Sequence, residues 1–272
     1  MKLILLVSFL LCFQWAASQS IDTSSLRATS DSVDWISIKT DSGIIHAAIA
    51  IPPGKGPFPA IIILHGTHGF AREYVHLAQE FAKNGIVGIA ACWFAGHKGG
   101  GQKFITTIDF NDAPPLVDAP GEDRFRIARV TIDSLVGKVS ALPYVKKNQL
   151  ALFGHSRGGG ASLNYVLTHP HKVQVIILNS TGYPVDVIRR ASEVDIPVLI
   201  IHGTENNPDE GGSPLANIEM ARQFETALRT ARKDIQVKYF EGTGHNALFS
   251  NSAQFDETVK QVVTFLRKKL SN

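Results

Sequence analysis

Gln149-Leu150-Ala151-Leu152-Phe153-Gly154-His155-Ser156-Arg157-Gly158-Gly159-Gly160 is the stretch whose reading decides the fold. An apolar run of strand character leads into Gly154, and beyond the glycines residues 161–169 read as a helix. Between them Ser156 sits at the centre of a G-x-S-x-G pattern, the mark of a serine on a tight strand-to-helix turn. Glycines two residues to either side let strand and helix approach closely while the hydroxyl projects from the end of the sheet. The same letters also describe a serine that caps a helix after a glycine turn. The strand before, the helix after and a histidine far downstream favour a nucleophile at Ser156.

Working outward, residues 60–64, 86–92, 173–178 and 196–201 are nearly unbroken apolar runs like residues 150–153, as expected of strands buried on both faces. Amphipathic stretches at 74–83, 125–142, 161–168 and 218–231 alternate with them. That alternation predicts a mostly parallel sheet with helices on both faces. Residues 35–39 and 44–51, joined at Asp41-Ser42-Gly43, read as an antiparallel N-terminal pair. Residues 235–240 would be the last strand, which makes eight, and 255–270 a closing helix with apolar residues at Val259, Val262, Val263, Phe265 and Leu266.

Lys2, an apolar stretch over residues 3–13 and the small residues Ala16-Ala17-Ser18 follow the order of a cleavable signal peptide. Cleavage before Gln19 is expected, leaving residues 19–272 as one domain without repeat or linker, secreted or periplasmic, with no stable membrane span. Removal of Lys2 changes the formal charge from +3 to +2 and leaves Cys92 as the remaining cysteine, so no intrachain disulfide can form. Cys92 lies in an apolar run and reads as a small core hydrophobe. With 44% hydrophobic and 19% charged residues the chain can bury a sizeable core, and the weakly basic balance lacks any Lys/Arg block that would ask for nucleic acid.

Ligands of parallel sheets bind at the carboxyl ends of the strands. There the sequence places Ser156, His65-Gly66-Thr67-His68-Gly69, Thr204 to Glu210, and Gly242-Thr243-Gly244-His245-Asn246. A serine hydroxyl is a poor nucleophile until a base takes its proton, and His245 is the natural base. His65 is expected to support a turn, His155 merely occupies an elbow position, and His169 and His171 flank Pro170 on the solvent side.

Taken together, the order of elements, Ile63-Leu64-His65-Gly66, the elbow at Ser156, Ile201-His202-Gly203-Thr204 and Gly244-His245 make the chain resemble the α/β-hydrolase superfamily. Within it the chain is similar to dienelactone hydrolase-like and prolyl oligopeptidase-like serine hydrolases, over nearly all of residues 19–272. The resemblance implies an α/β-hydrolase fold and an oxyanion hole built from the backbone N–H of Arg157 and that of Thr67 or His68. Dienelactone hydrolases carry cysteine at the elbow, where this chain has Ser156. Relatives commonly show His-Gly-Thr-x-Asp after the seventh strand, whereas His202-Gly203-Thr204-Glu205 is followed here by Asn206. Asn206 would orient His245 without stabilising its charge; Asp209 would do both, and Glu205 and Glu210 are nearby. These acids would equally serve a helix start near Pro214. Asp186 is a remoter candidate.

Residues 93–123, rich in glycine and proline, form a long connection at the carboxyl end of the fourth strand. Such connections often carry function, and Trp93, Phe94, Phe104 and Phe110 are expected to line an acyl or leaving-group pocket. Arg157 either binds a substrate anion or simply starts a helix. These features point to a secreted serine hydrolase of small carboxylic esters or thioesters. A small peptidase of prolyl oligopeptidase type and a non-catalytic binding protein that kept the fold are the alternatives. No cofactor, metal or nucleic-acid partner is expected, because no histidine pair stands at ligand spacing and no nucleotide loop follows the first strand.

Overall fold

The computed structural model describes residues 33–95, 105–111, 114–115, 123–205 and 216–270. Eight strands run in chain order: β1 (Asp34–Thr40), β2 (Gly43–Ala50), β3 (Phe58–Leu64), β4 (Val87–Cys92), β5 (Val145–His155), β6 (Val175–Asn179), β7 (Val198–Gly203) and β8 (Ile235–Phe240). They form one sheet in the order β1-β2-β4-β3-β5-β6-β7-β8. The β1–β2 and β2–β4 pairs are antiparallel, and every pair from β4 onward is parallel. The eight-stranded, mostly parallel sheet with an antiparallel N-terminal pair is therefore the architecture expected from the apolar runs.

Period-two alternation explains why the central strands are unbroken apolar runs. Ile62, Leu64, Leu152, Ile176, Leu178 and Ile200 point into one core, against helices α2 (Asp123–Ser140), α3 (Arg157–Thr168) and α5 (Ile218–Thr230). Ile61, Ile63, Phe153, Val175, Ile177 and Ile201 point into the other, against α1 (Arg72–Lys83) and α7 (Ser252–Leu270). With both faces covered, neither half of the alternation can be polar. Short helices α4 (Val185–Arg189) and α6 (Ala247–Ser250) fill the remaining connections. Cys92 is buried and free, as a core hydrophobe should be. No helix among the described residues is long and apolar enough to cross a membrane.

The signal-peptide region, Phe104, and residues 206–215 with Asn206, Asp209 and Glu210 lie outside the described residues. Two boundaries differ most from expectation. β5 begins at Val145 rather than Leu150, because Lys146, Lys147 and Asn148 are exposed and interrupt the apolar signal. Helix α3 begins at Arg157, so the three glycines after it are helical. Packing selects the first two: a Cβ on Gly158 would lie 2.1 Å from the Leu64 carbonyl oxygen and one on Gly159 1.9 Å from Thr181 Oγ1, so side chains there would push helix and sheet apart.

Candidate active site

The elbow predicted at Ser156 is present in its strained form. Ser156 has φ 52° and ψ −114°, a conformation that L-residues rarely adopt. The surroundings determine it: the Ser156 N–H donates to the Asn179 carbonyl at 2.9 Å, and the Ser156 carbonyl accepts from the Gly160 N–H at 3.2 Å. The turn lifts the hydroxyl off the carboxyl end of β5, between the ends of β3 and β6.

His245 arrives from the loop between β8 and α6. That loop is tied to the end of β7: the Glu205 N–H donates to the Thr243 carbonyl at 3.0 Å, and the Gly242 N–H to Thr204 Oγ1 at 3.0 Å. The two chains pass so closely that a Cβ on Gly203 would sit 2.3 Å from the Thr243 oxygen. The result is a contact of 2.9 Å between His245 Nε2 and Ser156 Oγ, across 89 residues of sequence. Burial, reinforced by His155 and His202, lowers the His245 pKa to about 3, so the ring is neutral near pH 7. A neutral ring that accepts the Ser156 proton at Nε2 carries its own proton on Nδ1. Nδ1 is buried with no partner among the described residues, and the group that would complete the arrangement must be an acceptor.

Of the residues considered for that place, Glu205 is exposed and contributes its backbone to the β7 turn. Asp186 is exposed in the first turn of α4 and does not meet His245. The loop after β3 does reach the elbow, since a Cβ on Gly66 would lie 3.3 Å from Ser156 Cβ. The Thr67 N–H enters no hydrogen bond among the described residues. Arg157 is the first residue of α3 and follows Ser156 directly in the chain. Thr67 is thus next in the chain to a residue that abuts Ser156, as Arg157 is to Ser156 itself.

Sequence reasoning missed the polar shell behind this pair. His155 is fully buried, with Nδ1 2.7 Å from Asn179 Oδ1 and Nε2 2.9 Å from Asn246 Oδ1. Tyr74 Oη accepts from the Gly66 N–H at 3.0 Å and lies 2.8 Å from His68 Nε2, fixing the loop that carries Thr67. His65 supports its turn as expected, donating from Nδ1 to the Gly66 carbonyl at 2.8 Å. Burial lowers the pKa of His65 and His155 to about 4 and that of His68 to about 2. The site is thus lined by neutral imidazoles. Among the described residues no grouping of His, Cys, Asp or Glu could hold a metal ion.

Trp93 is fully buried and donates from Nε1 to the His65 carbonyl at 3.0 Å. Phe94 stacks on His65 at 4.6 Å and receives the Arg157 guanidinium 4.5 Å from its ring centre. These two form the wall beneath the elbow rather than an open pocket surface. Phe110 stands apart: it stacks on His46 and meets Trp35 and Phe70, because Ile108 donates to the Phe70 carbonyl and Thr107 bridges to Ala71. His171 is exposed and His169 stacks on Tyr165, both remote from the site.

Comparison with known proteins fits this geometry. A Bradyrhizobium protein, "Probable 2-oxo-3-(5-oxofuran-2-ylidene)propanoate lactonase", is 22% identical over 229 residues, covering 78% of this chain and 83% of its own. Acyl-coenzyme A thioesterase 5 of Mus musculus is 27% identical over 162 residues, which is 59% of this chain but 32% of the mouse protein. The solved structure of a thermophilic esterase, Est2 from Thermogutta terrifontis, superimposes with a TM-score of 0.62 at 17% identity, covering 90% of this chain and 96% of the esterase. The model of the dienelactone hydrolase family matches residues 45–264, and the chain belongs to that family of α/β hydrolases.

Proposed function

We propose that the protein is a serine hydrolase that cleaves carboxylic esters or thioesters through an acyl-enzyme. The observation that carries this reading is the 2.9 Å contact between His245 Nε2 and the hydroxyl of an elbow serine held at φ 52°. Ser156 Oγ attacks the acyl carbon while its proton passes to His245 Nε2. The negative charge that develops on the carbonyl oxygen falls between the N–H groups of Thr67 and Arg157. As the tetrahedral intermediate collapses, the alkoxide or thiolate leaves with the proton from His245. Water then attacks the acyl-enzyme and gives a proton to His245, which passes it to Ser156 Oγ as the bond to the acyl group breaks and the acid leaves. A lactonase, a thioesterase and an esterase among the relatives all perform acyl transfer to water, which supports the substrate class.

The Nδ1 acceptor is proposed to come from Asn206, which stands where relatives commonly carry aspartate, or from Asp209, a carboxylate displaced further along the chain. Secretion after removal of residues 1–18 is part of the same proposal, and an exported protein beginning at Gln19 would support it. The non-catalytic reading draws on one observation, the unpartnered Nδ1 of His245 among the described residues.

Fluorophosphonate labelling read by intact mass decides between them. One adduct is expected on wild type, none on Ser156→Ala and a rate at least about 100-fold lower on His245→Ala, since loss of a positioned base costs about that much. Folded wild-type protein that neither labels nor hydrolyses short or long p-nitrophenyl esters would exclude the hydrolase.

A further inference from the structure

His155, Asn179 and Asn246 are three polar side chains at 0%, 1% and 0% exposure, directly behind the reacting pair. Burying amides and an imidazole is costly unless each polar atom is matched, and an apolar trio would fill the space with less penalty. Their places in the chain are informative. His155 precedes Ser156, Asn246 follows His245, and Asn179 gives its backbone oxygen to the Ser156 N–H while its side chain meets His155. The β5–β6 register makes His155 and Asn179 direct partners, so the sheet itself sets one end of the link. The other end crosses 91 residues of sequence to the histidine loop.

We propose that Asn179, His155 and Asn246 form a buried positioning relay that fixes the separation of Ser156 and His245 from behind. This rests on the serine-hydrolase reading above. A neutral imidazole has one N–H and one lone pair, whereas both asparagines place Oδ1 against the ring, so one amide must present its NH2 in place of Oδ1 for both contacts to be hydrogen bonds. The relay is therefore directional, and His155 transmits a displacement at either amide to the other. It also bears on the strain at Ser156, because a positive φ persists only where several contacts agree on it. None of the three touches the reacting atoms; they act through the two residues that do.

The test uses Asn246→Ala, Asn179→Ala, the double variant, and Leu135→Ala as a control that loses core packing in α2 without touching the three polar side chains. Each single relay variant is expected to lower the fluorophosphonate rate constant per folded molecule at least tenfold, with ester KM within twofold of wild type, as misplacement by about 1 Å can cost about 100-fold. The double variant should lose no more than the worse single one, since both act through one ring. Leu135→Ala should melt earlier and react at the wild-type rate. Relay variants that also react at the wild-type rate, or losses that multiply in the double variant, overturn the relay. Should Asn246→Ala fail to fold, Asn179→Ala carries the test alone. A second readout does not depend on turnover: Asn179→Ala should displace the imidazole nitrogen resonances of His245, which it does not contact. Wild type that fails to label refutes the hydrolase reading, whereas unchanged His245 resonances in Asn179→Ala refute the relay.

Discussion

Lowering the pH from 7 to 5 should unfold this protein, and its histidines set the size of the effect. His65, His155, His245 and His68 are held by burial at about 4, 4, 3 and 2. In the unfolded chain each returns to about 6.5. A group whose folded pKa is depressed stabilises the fold fully above its unfolded value, and that stability is lost as the pH falls toward the folded value. The window is therefore pH 6.5 down to about 4, in which the unfolded chain binds protons that the folded one refuses. At pH 5 each unfolded imidazole gains about 2 kcal/mol from protonation, while a folded one held at about 4 gains almost nothing. The four together then cost on the order of 7 kcal/mol, comparable to the whole stability of a typical domain. Three surface carboxylates are held below their ordinary values by hydrogen bonds, Glu193 from Arg190, Asp195 from Lys233 and Glu257 from Gln261.

The assay is urea unfolding followed by tryptophan fluorescence at half-unit steps from pH 8 to 5. Stability should be flat above pH 7 and fall below 6.5 by roughly 1 kcal/mol per pH unit for each of the four rings. His65→Asn should reduce that slope by one ring's share whatever it does to stability at pH 7, because slope counts protons. A midpoint unchanged between pH 7 and 5 would refute the reasoning, since it requires that these imidazoles take up protons inside the fold.

Gly158→Ala should unfold the protein or destabilise it by about 3 kcal/mol or more, because its methyl meets the Leu64 backbone at 2.1 Å, whereas Gly160→Ala, with nothing within 4 Å, should stabilise the helix by about 0.5–1 kcal/mol; thermal melting compares them directly. Cys92, whose thiol burial pushes up to about 12, should resist iodoacetamide at pH 8 in the native state and react fully in urea, as peptide mass would record. With the base lowered to about 3, labelling of Ser156 in the folded protein should not fall between pH 8 and 6.5; an acid limb near 6.5 would place a carboxylate such as Asp209 on His245 Nδ1, and Asp209→Asn would then remove that limb.

The sheet was legible because strands covered on both faces leave no room for polar alternation, as in residues 60–64 and 86–92. Boundaries were legible only where chemistry changes at the boundary. Lys146 and Lys147 belong to β5 but extend beyond the packed layers, so their side chains carry a loop signal on a strand backbone. Gly158 and Gly159 are poor helix formers by themselves, and they open a helix because sheet and helix meet there too closely for side chains, whereas Gly160 faces open space. Phe110 reads as a pocket aromatic from its position after β4, yet the path of residues 105–110 is set by backbone bonds to Phe70 and Arg72, which leave no trace in side-chain pattern.

Ser156 and His245 could be found because each is fixed by local order, a strand followed by a turn. The relay could not, because asparagine at 179 and 246 has no motif and its partner is chosen by register and by a chain crossing of 91 residues. One signal was available: Asn179 closes the apolar run Val175-Ile176-Ile177-Leu178, and a polar residue at the carboxyl end of a buried strand needs a partner. The same burial explains the histidines. His155 and His245 are neutral because the shell that holds them excludes water, so the features that position the reacting pair and those that make the fold acid-sensitive have one cause. A substitution that lets water reach His155 should therefore raise its pKa toward 6.5, flatten the acid limb of stability and loosen the Ser156–His245 contact together.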